Sequence, residues 1–155
     1  MALEYSTIGT RLYYCVETTA GSKPTSGFTE IQNITALAED NGEPETIEVT
    51  NLVDNRHRVI PGLLGEADSY QVTANFTQAF QTAWETLVSS AASAKASNKA
   101  TWFEAVLPGH SKSWSFAGTP QALGFPGANV AENQSIVAYI SKEQIDGWST
   151  ASNKS

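Results

Sequence analysis

Residues 69–76 alternate without a break, with Tyr70, Val72, Ala74 and Phe76 on one face and Ser69, Gln71, Thr73 and Asn75 on the other. That is the period of a strand with one side buried and one side wet. Immediately afterwards the spacing changes. Phe80, Trp84, Leu87, Val88 and Ala91 recur along one helical stripe, while Gln81, Glu85, Ser89 and Ser93 face the opposite way. Asn75 or Thr77 can cap the start and Ser97 or Asn98 the end, which bounds a helix at about residues 76–97. No other stretch carries convincing helical spacing, so the fold has to seat a single helix on strands.

Further strands read at residues 11–16, 28–34, 45–52, 100–107, 113–117 and 135–140, the fourth and fifth of these joined as a hairpin through Pro108, Gly109, His110 and Ser111. Two stretches look like long loops, 51–67 with Pro61, Gly62 and Gly65, and 118–133 with its prolines and glycines. The expected class is mainly β: a β-sandwich or barrel-like set of antiparallel sheets with one packed α-helix. At 155 residues and 41% hydrophobic content, one domain over 1–155 is expected, with a frayed polar tail at 149–155.

Glu30, Glu39, Asp40, Glu43, Glu45, Glu48 and Asp54 follow one another with no Lys or Arg among them, and the formal charge of the chain is -7. This balance disfavours a basic nucleic-acid surface and an anionic membrane. Within the acidic run, residues 46–50 alternate so that Thr46, Glu48 and Thr50 share a polar face. Such a face is either an ordinary solvated edge or a wall that holds no polyanion, since it offers nothing to neutralise a phosphate.

A search for chemistry returns little. Cys15 is the single cysteine and lies far in sequence from His57 and His110, so neither a disulfide nor a metal-ligand spacing is present, and no cofactor is expected. Glu43, Glu45, Glu48 and Glu104 could in principle furnish an acid and a base, but catalysis needs one of them raised by burial and most sit in polar surroundings. His110 beside Ser111 lacks the G-x-S-x-G elbow of a nucleophile, and Cys15 in an apolar strand reads as a core thiol. Trp102, Trp114 and Trp148 could form a sugar platform, although cross-strand core packing between Trp102 and Trp114 on neighbouring strands is the simpler account. No catalytic residue is expected. Residues 1–10 lack the basic and apolar segments of a secretory leader, and no uncharged run is long enough for a membrane span.

In order and local phrase, nearly the whole chain resembles the major tail tube proteins of long, non-contractile-tailed bacteriophages. The resemblance is carried by Gly9-Thr10-Arg11-Leu12-Tyr13-Tyr14, Pro44-Glu45-Thr46-Ile47-Glu48-Val49-Thr50, Ile60-Pro61-Gly62-Leu63, Thr73-Ala74-Asn75-Phe76-Thr77 leading into the Trp84 helix, Thr101-Trp102-Phe103-Glu104 and Pro108-Gly109. It implies a structural virion protein whose copies form hexameric rings, stacked head to tail into a hollow channel for DNA. It also implies the tape-measure protein and the tail terminator and tip proteins as partners, DNA passing without specific binding, and a host-cytoplasmic subunit that ends in the virion tail.

On that reading Glu45, Thr46, Glu48, Thr50, Gln71 and Thr73 are candidates for the lumen. Arg56, His57, Arg58, Pro61 and Gly62 belong to an inter-ring loop, where the arginines could meet Glu39 and Asp40 of another copy, and Phe80, Trp84, Leu87 and Val88 are the helix core. The competing reading is a β-sandwich binding module for a carbohydrate or other ligand, using Trp114 or Trp148.

Overall fold

The computed structural model describes residues 9–39, 43–53, 56, 58–65, 69–128, 130 and 133–150. Among these described residues, nine strands and one helix follow in the order β1 (Arg11–Val16), β2 (Thr29–Ile31), β3 (Ile34–Leu37), β4 (Glu43–Glu48), β5 (Val59–Gly65), β6 (Ser69–Asn75), α1 (Gln78–Ala96), β7 (Thr101–Val106), β8 (Lys112–Pro120) and β9 (Ser135–Thr150). The chain divides into two compact units, a body formed by Met1–Ala38 with Ser69–Ser155 and an arm formed by Glu39–Asp68.

The body is one antiparallel sheet of seven strands in the order β2-β1-β7-β8-β9-β6-β3. Its two outermost strands, β2 and β3, are consecutive in sequence and separated only by Gln32 and Asn33. Three Cα steps span at most about 11 Å, so the two ends of the sheet have to come together at this corner. Asn33 makes the turn in the left-handed region, with φ of 66°, a conformation that asparagine tolerates better than most residues. Its carbonyl accepts from the Asn75 amide at 2.9 Å, which pins the corner to the end of β6. The sheet is therefore curled, with edges joined by the chain and not by a ladder, so the barrel is not closed.

Strand β9 makes the curl possible. Its first part, Ser135 to Ser141, pairs with β6, and from Ile140 to Thr150 it pairs with β8. The register of the β8–β9 ladder shifts between Ser115 and Phe116 and again between Ala117 and Gly118, and such bulges bend a strand. At the second shift the backbones approach closely: a Cβ on Gly118 would lie 2.6 Å from the Ser141 carbonyl oxygen and 2.9 Å from Ile140 Cγ2. Only glycine fits there.

The concave face encloses the core. Leu12, Ile31, Tyr70, Val72, Ala74, Phe103, Phe116, Ile136, Ala138 and Ile140 from the strands pack with Phe80, Trp84 and Leu87 of α1. Phe116 is its centre, 5.4 Å from the Phe103 ring and 5.1 Å from Tyr70. Thr77 caps the helix by accepting from the Phe80 amide at 3.1 Å, and Asn98, with φ of 58°, ends it. Val88 is partly buried against the same cluster. The Trp84 indole donates to the Gln121 carbonyl at 2.8 Å, tying the segment after β8 to the helix.

Several expected bounds shift. Residues 59–65, expected as loop, form β5, because β4 supplies a partner ladder that overrides a Pro- and Gly-containing sequence. The stretch expected as one strand over 28–34 is two strands broken at Asn33, and β8 runs to Pro120 inside the second expected loop. β9 continues ten residues beyond Ile140, through Ser149 and Thr150, because β8 takes over its pairing there. Residues 151–155 lie outside the described residues.

Candidate functional site

The residues proposed for chemistry are spread over unlike environments. Glu104 is fully buried on β7, where the Ser113 hydroxyl donates to it at 2.6 Å. Glu48 is exposed on β4, and the side chains of Glu43 and Glu45 lie outside the described residues. His110 and Ser111 are both exposed at the β7–β8 turn, with the His110 ring stacked on Trp148 at 6.4 Å. Cys15 is half-buried, its thiol donates to the Ser26 carbonyl at 3.6 Å, and burial pushes its pKa up, against formation of the thiolate. Among the described residues no cluster of His, Cys, Asp and Glu could hold a metal ion, and no helix is long and apolar enough to cross a membrane.

The convex face of β1, β7 and β8 is covered by the segment at 17–28. Phe28, Trp102 and Ala117 form a second, smaller apolar cluster there, flanked by Tyr13, Cys15 and Ala100. Glu17 fastens the segment. Its carboxylate accepts from the Trp102 indole at 2.8 Å and from the amides of Ala100 and Gly21, each at 3.0 Å. Burial opposes the charge most strongly, yet these three donors outweigh it and hold the Glu17 pKa below its ordinary value. Lys23 adds a second fastening, reaching Asp146 at 2.7 Å and Ser149 at 3.0 Å on β9.

Trp102 therefore belongs to the convex cluster, whereas Trp114 packs against the concave core. Cross-strand packing between these two does not occur, because the register pairs Trp102 with Ala117 and Trp114 with Ala105, three residues apart and so on opposite faces. Trp114 instead meets Trp148 edge-on at 5.6 Å across the β8–β9 ladder. Trp148 is 51% exposed, so these two and His110 form an aromatic surface cluster.

The other exposed sheet face lies along β6 and the first part of β9. Gln71 stands opposite Tyr139 and Thr73 opposite Val137, bracketed by Ser69, Asn75, Ser135 and Ser141. None of these eight carries a formal charge.

The arm is a β4–β5 hairpin with a register shift between Pro44 and Thr46. Thr46 and Glu48 are exposed on one face, and Ile47 pairs with Ile60 on the other. Thr50 accepts from the Arg58 amide at 2.8 Å and closes the tip, and Arg56 is exposed within it. His57, Asp40 and the side chain of Pro61 lie outside the described residues, while Pro61 and Gly62 fall within β5. Eight carboxylates against two arginines give the arm -6 of the chain's formal -7. This concentration is visible in sequence, but it acquires meaning once the arm is seen as a unit.

No known family model matches the chain, and no curated protein matches it by sequence. By fold it is similar to a chain in the cryo-EM structure of the anti-feeding prophage baseplate, 6-fold symmetrised, with a TM-score of 0.55 over 96% of both chains at 8% identity. It also overlaps a chain of the phage p2 baseplate in its activated conformation with Sr, at a TM-score of 0.45 and 8% identity, covering 88% of this chain and 45% of that one. At such identity the first likeness concerns the fold alone, and nothing rests on the second.

Proposed function

We propose that this chain is a self-assembling structural subunit of a phage-type tail, and more narrowly a tail tube subunit whose copies close into six-membered rings that stack around a channel for DNA. The observation that carries the reading is the end-to-end fold likeness, over 96% of each partner, to a chain from a particle with 6-fold symmetry. Three physical features support it. The body ends in short edge strands, β2 and β3, that can be extended by a neighbour. The arm projects apolar and acidic groups that a lone subunit has little use for. Among the described candidates for acid or base, Glu48 is exposed and Glu104 is locked in a hydrogen bond with Ser113.

On this reading the uncharged face of Gln71, Thr73, Val137 and Tyr139 is a candidate wall of the bore. It offers a duplex no cation, and Glu48 with Thr46 and Thr50 on the arm adds repulsion within a screening length of about 8 Å. Arg56 and Arg58 face carboxylates of a stacked copy, and the tape-measure, terminator and tip proteins meet the same surfaces. Size exclusion with negative-stain microscopy tests the proposal. Stacked hollow tubes are expected, isolated rings would favour a baseplate position, and a monomer at every concentration would reject assembly. With Glu48→Lys, tubes should still form while DNA delivery falls, and unchanged delivery removes Glu48 from the lining.

A further inference from the structure

Around the tip of the arm, hydrogen bonds among the described residues hold an apolar pair in water. The Val49 amide donates to the Arg58 carbonyl at 2.9 Å, Thr50 bonds the Arg58 amide, and Asn51 Oδ1 accepts from the Val53 amide at 3.0 Å. Between these fixed points Leu52 is 106% exposed and Val53 85% exposed. Ile47, at 52%, and Ile60, at 45%, continue the apolar stripe down the hairpin. Leaving four large aliphatic groups hydrated is unfavourable, and a two-stranded ladder is marginal by itself, so the tip gains from a surface that covers it.

The body carries an aromatic surface of matching character. Trp148 stands half exposed, braced edge-on by Trp114 and stacked with His110, so its ring is already fixed before anything docks. Its surroundings are also electrostatically complementary to the arm. Residues 107–115 and 147–150 contain no carboxylate, and Lys112 lies opposite Thr150 at the end of the same ladder. Of the two acids that adjoin the cluster among the described residues, Asp146 is held by Lys23, and Glu104 is fully buried and accepts from the Ser113 hydroxyl. The exposed Lys112 beside the cluster is thus complementary to an arm of formal charge -6.

We infer that Leu52 and Val53 of one copy seat against the His110–Trp114–Trp148 cluster of a second copy, with Lys112 steering the acidic arm. The inference rests on the self-assembly reading and names the surfaces that meet. Two variants separate the halves of the contact: Leu52→Ser with Val53→Ser removes the plug, and Trp148→Ser removes the socket. Because Trp148 also touches Trp114, Lys112→Glu serves as a third variant that leaves the aromatic packing in place.

Sedimentation velocity across a concentration series is the readout. The plug and socket variants should each weaken association on the order of 30-fold, as expected of a buried anchor, and Lys112→Glu should weaken it by an amount that high salt removes. The plug or the socket variant alone should stop at its smallest assembly. An equimolar mixture of plug and socket variants should give a species of twice that mass, since it restores one intact contact. If wild-type protein never associates, the assembly reading fails and this contact with it. If wild type associates and the variants match it, the contact is wrong while assembly stands. Failure of the mixture to pair, with both variants defective, would likewise overturn the contact.

Discussion

Replacing Glu17 with Gln tests the account of how the convex face is closed. The carboxylate uses one oxygen for the Trp102 indole and the other for the amides of Gly21 and Ala100. A carboxamide has one acceptor oxygen, so whichever way it turns, its NH2 faces a donor. Keeping the two amides leaves the buried indole N–H without an acceptor, about 1–3 kcal/mol, and converts two charge-assisted bonds to neutral ones, about 1 kcal/mol each. Removing a charge that burial disfavours offsets part of this, leaving a net loss of about 2 kcal/mol. For a chain of this size the melting temperature should fall by about 4–8 °C near neutral pH.

The pH dependence follows from the direction of the Glu17 shift. A pKa below the ordinary value means that the stabilisation is fully present above that value and is lost as pH falls through the folded pKa. The gap between wild type and Glu17→Gln should therefore narrow only as pH falls below the ordinary glutamate range and through the lowered folded value. Thermal melts followed by circular dichroism at neutral and acid pH provide the measurement. A neutral-pH difference under about 1 °C, or a gap that stays constant into acid, would refute the reasoning.

Gly118→Ala should lower stability by about 2–3 kcal/mol, because the added methyl meets the Ser141 backbone at 2.6 Å and neither strand can withdraw without breaking the β8–β9 ladder; chemical denaturation checks it, and an unchanged midpoint contradicts the crossing described. Thr77→Ala should cost about 1 kcal/mol through loss of the helix cap, read in the same assay, with Thr77→Ser largely preserving stability. Lys23→Met should cost under about 1.5 kcal/mol and lose that difference in high salt, since the Asp146 pair is partly exposed; a large, salt-independent effect would mean that Lys23 matters chiefly through packing over Trp102.

The parts of the fold that the sequence reveals are those in which local pattern and tertiary environment agree. Residues 69–75 alternate and become β6 with one face buried, and the stripe of Phe80, Trp84, Leu87 and Ala91 becomes the buried side of α1, started by Thr77. What stays hidden depends on partners remote in sequence. Val59 to Gly65 contains one proline and two glycines and shows no alternation, so only pairing with β4 makes it a strand. Ser141, Lys142, Glu143 and Gln144 interrupt the apolar pattern after Ile140, yet β8 pairs with Ser141, Lys142 and Gln144 and the register shift takes up Glu143. Glu17 looks like a solvated acid next to a turn-rich segment, and its indole partner is 85 residues away. The aromatic cluster is hidden for the same reason, because register decides that Trp114 faces Trp148 and not Trp102.

Strand β9 has a mechanical consequence. It is gripped on one flank by β6 and, further along, on the other flank by β8. Traction on its C-terminal end loads those cross-strand bonds in shear, many at once, whereas lifting β2 or β3 from the rim would unzip a few bonds in succession. The subunit is stiff along one axis and yielding along another, so a filament that threads tension through β9 would stretch little before its joints gave way.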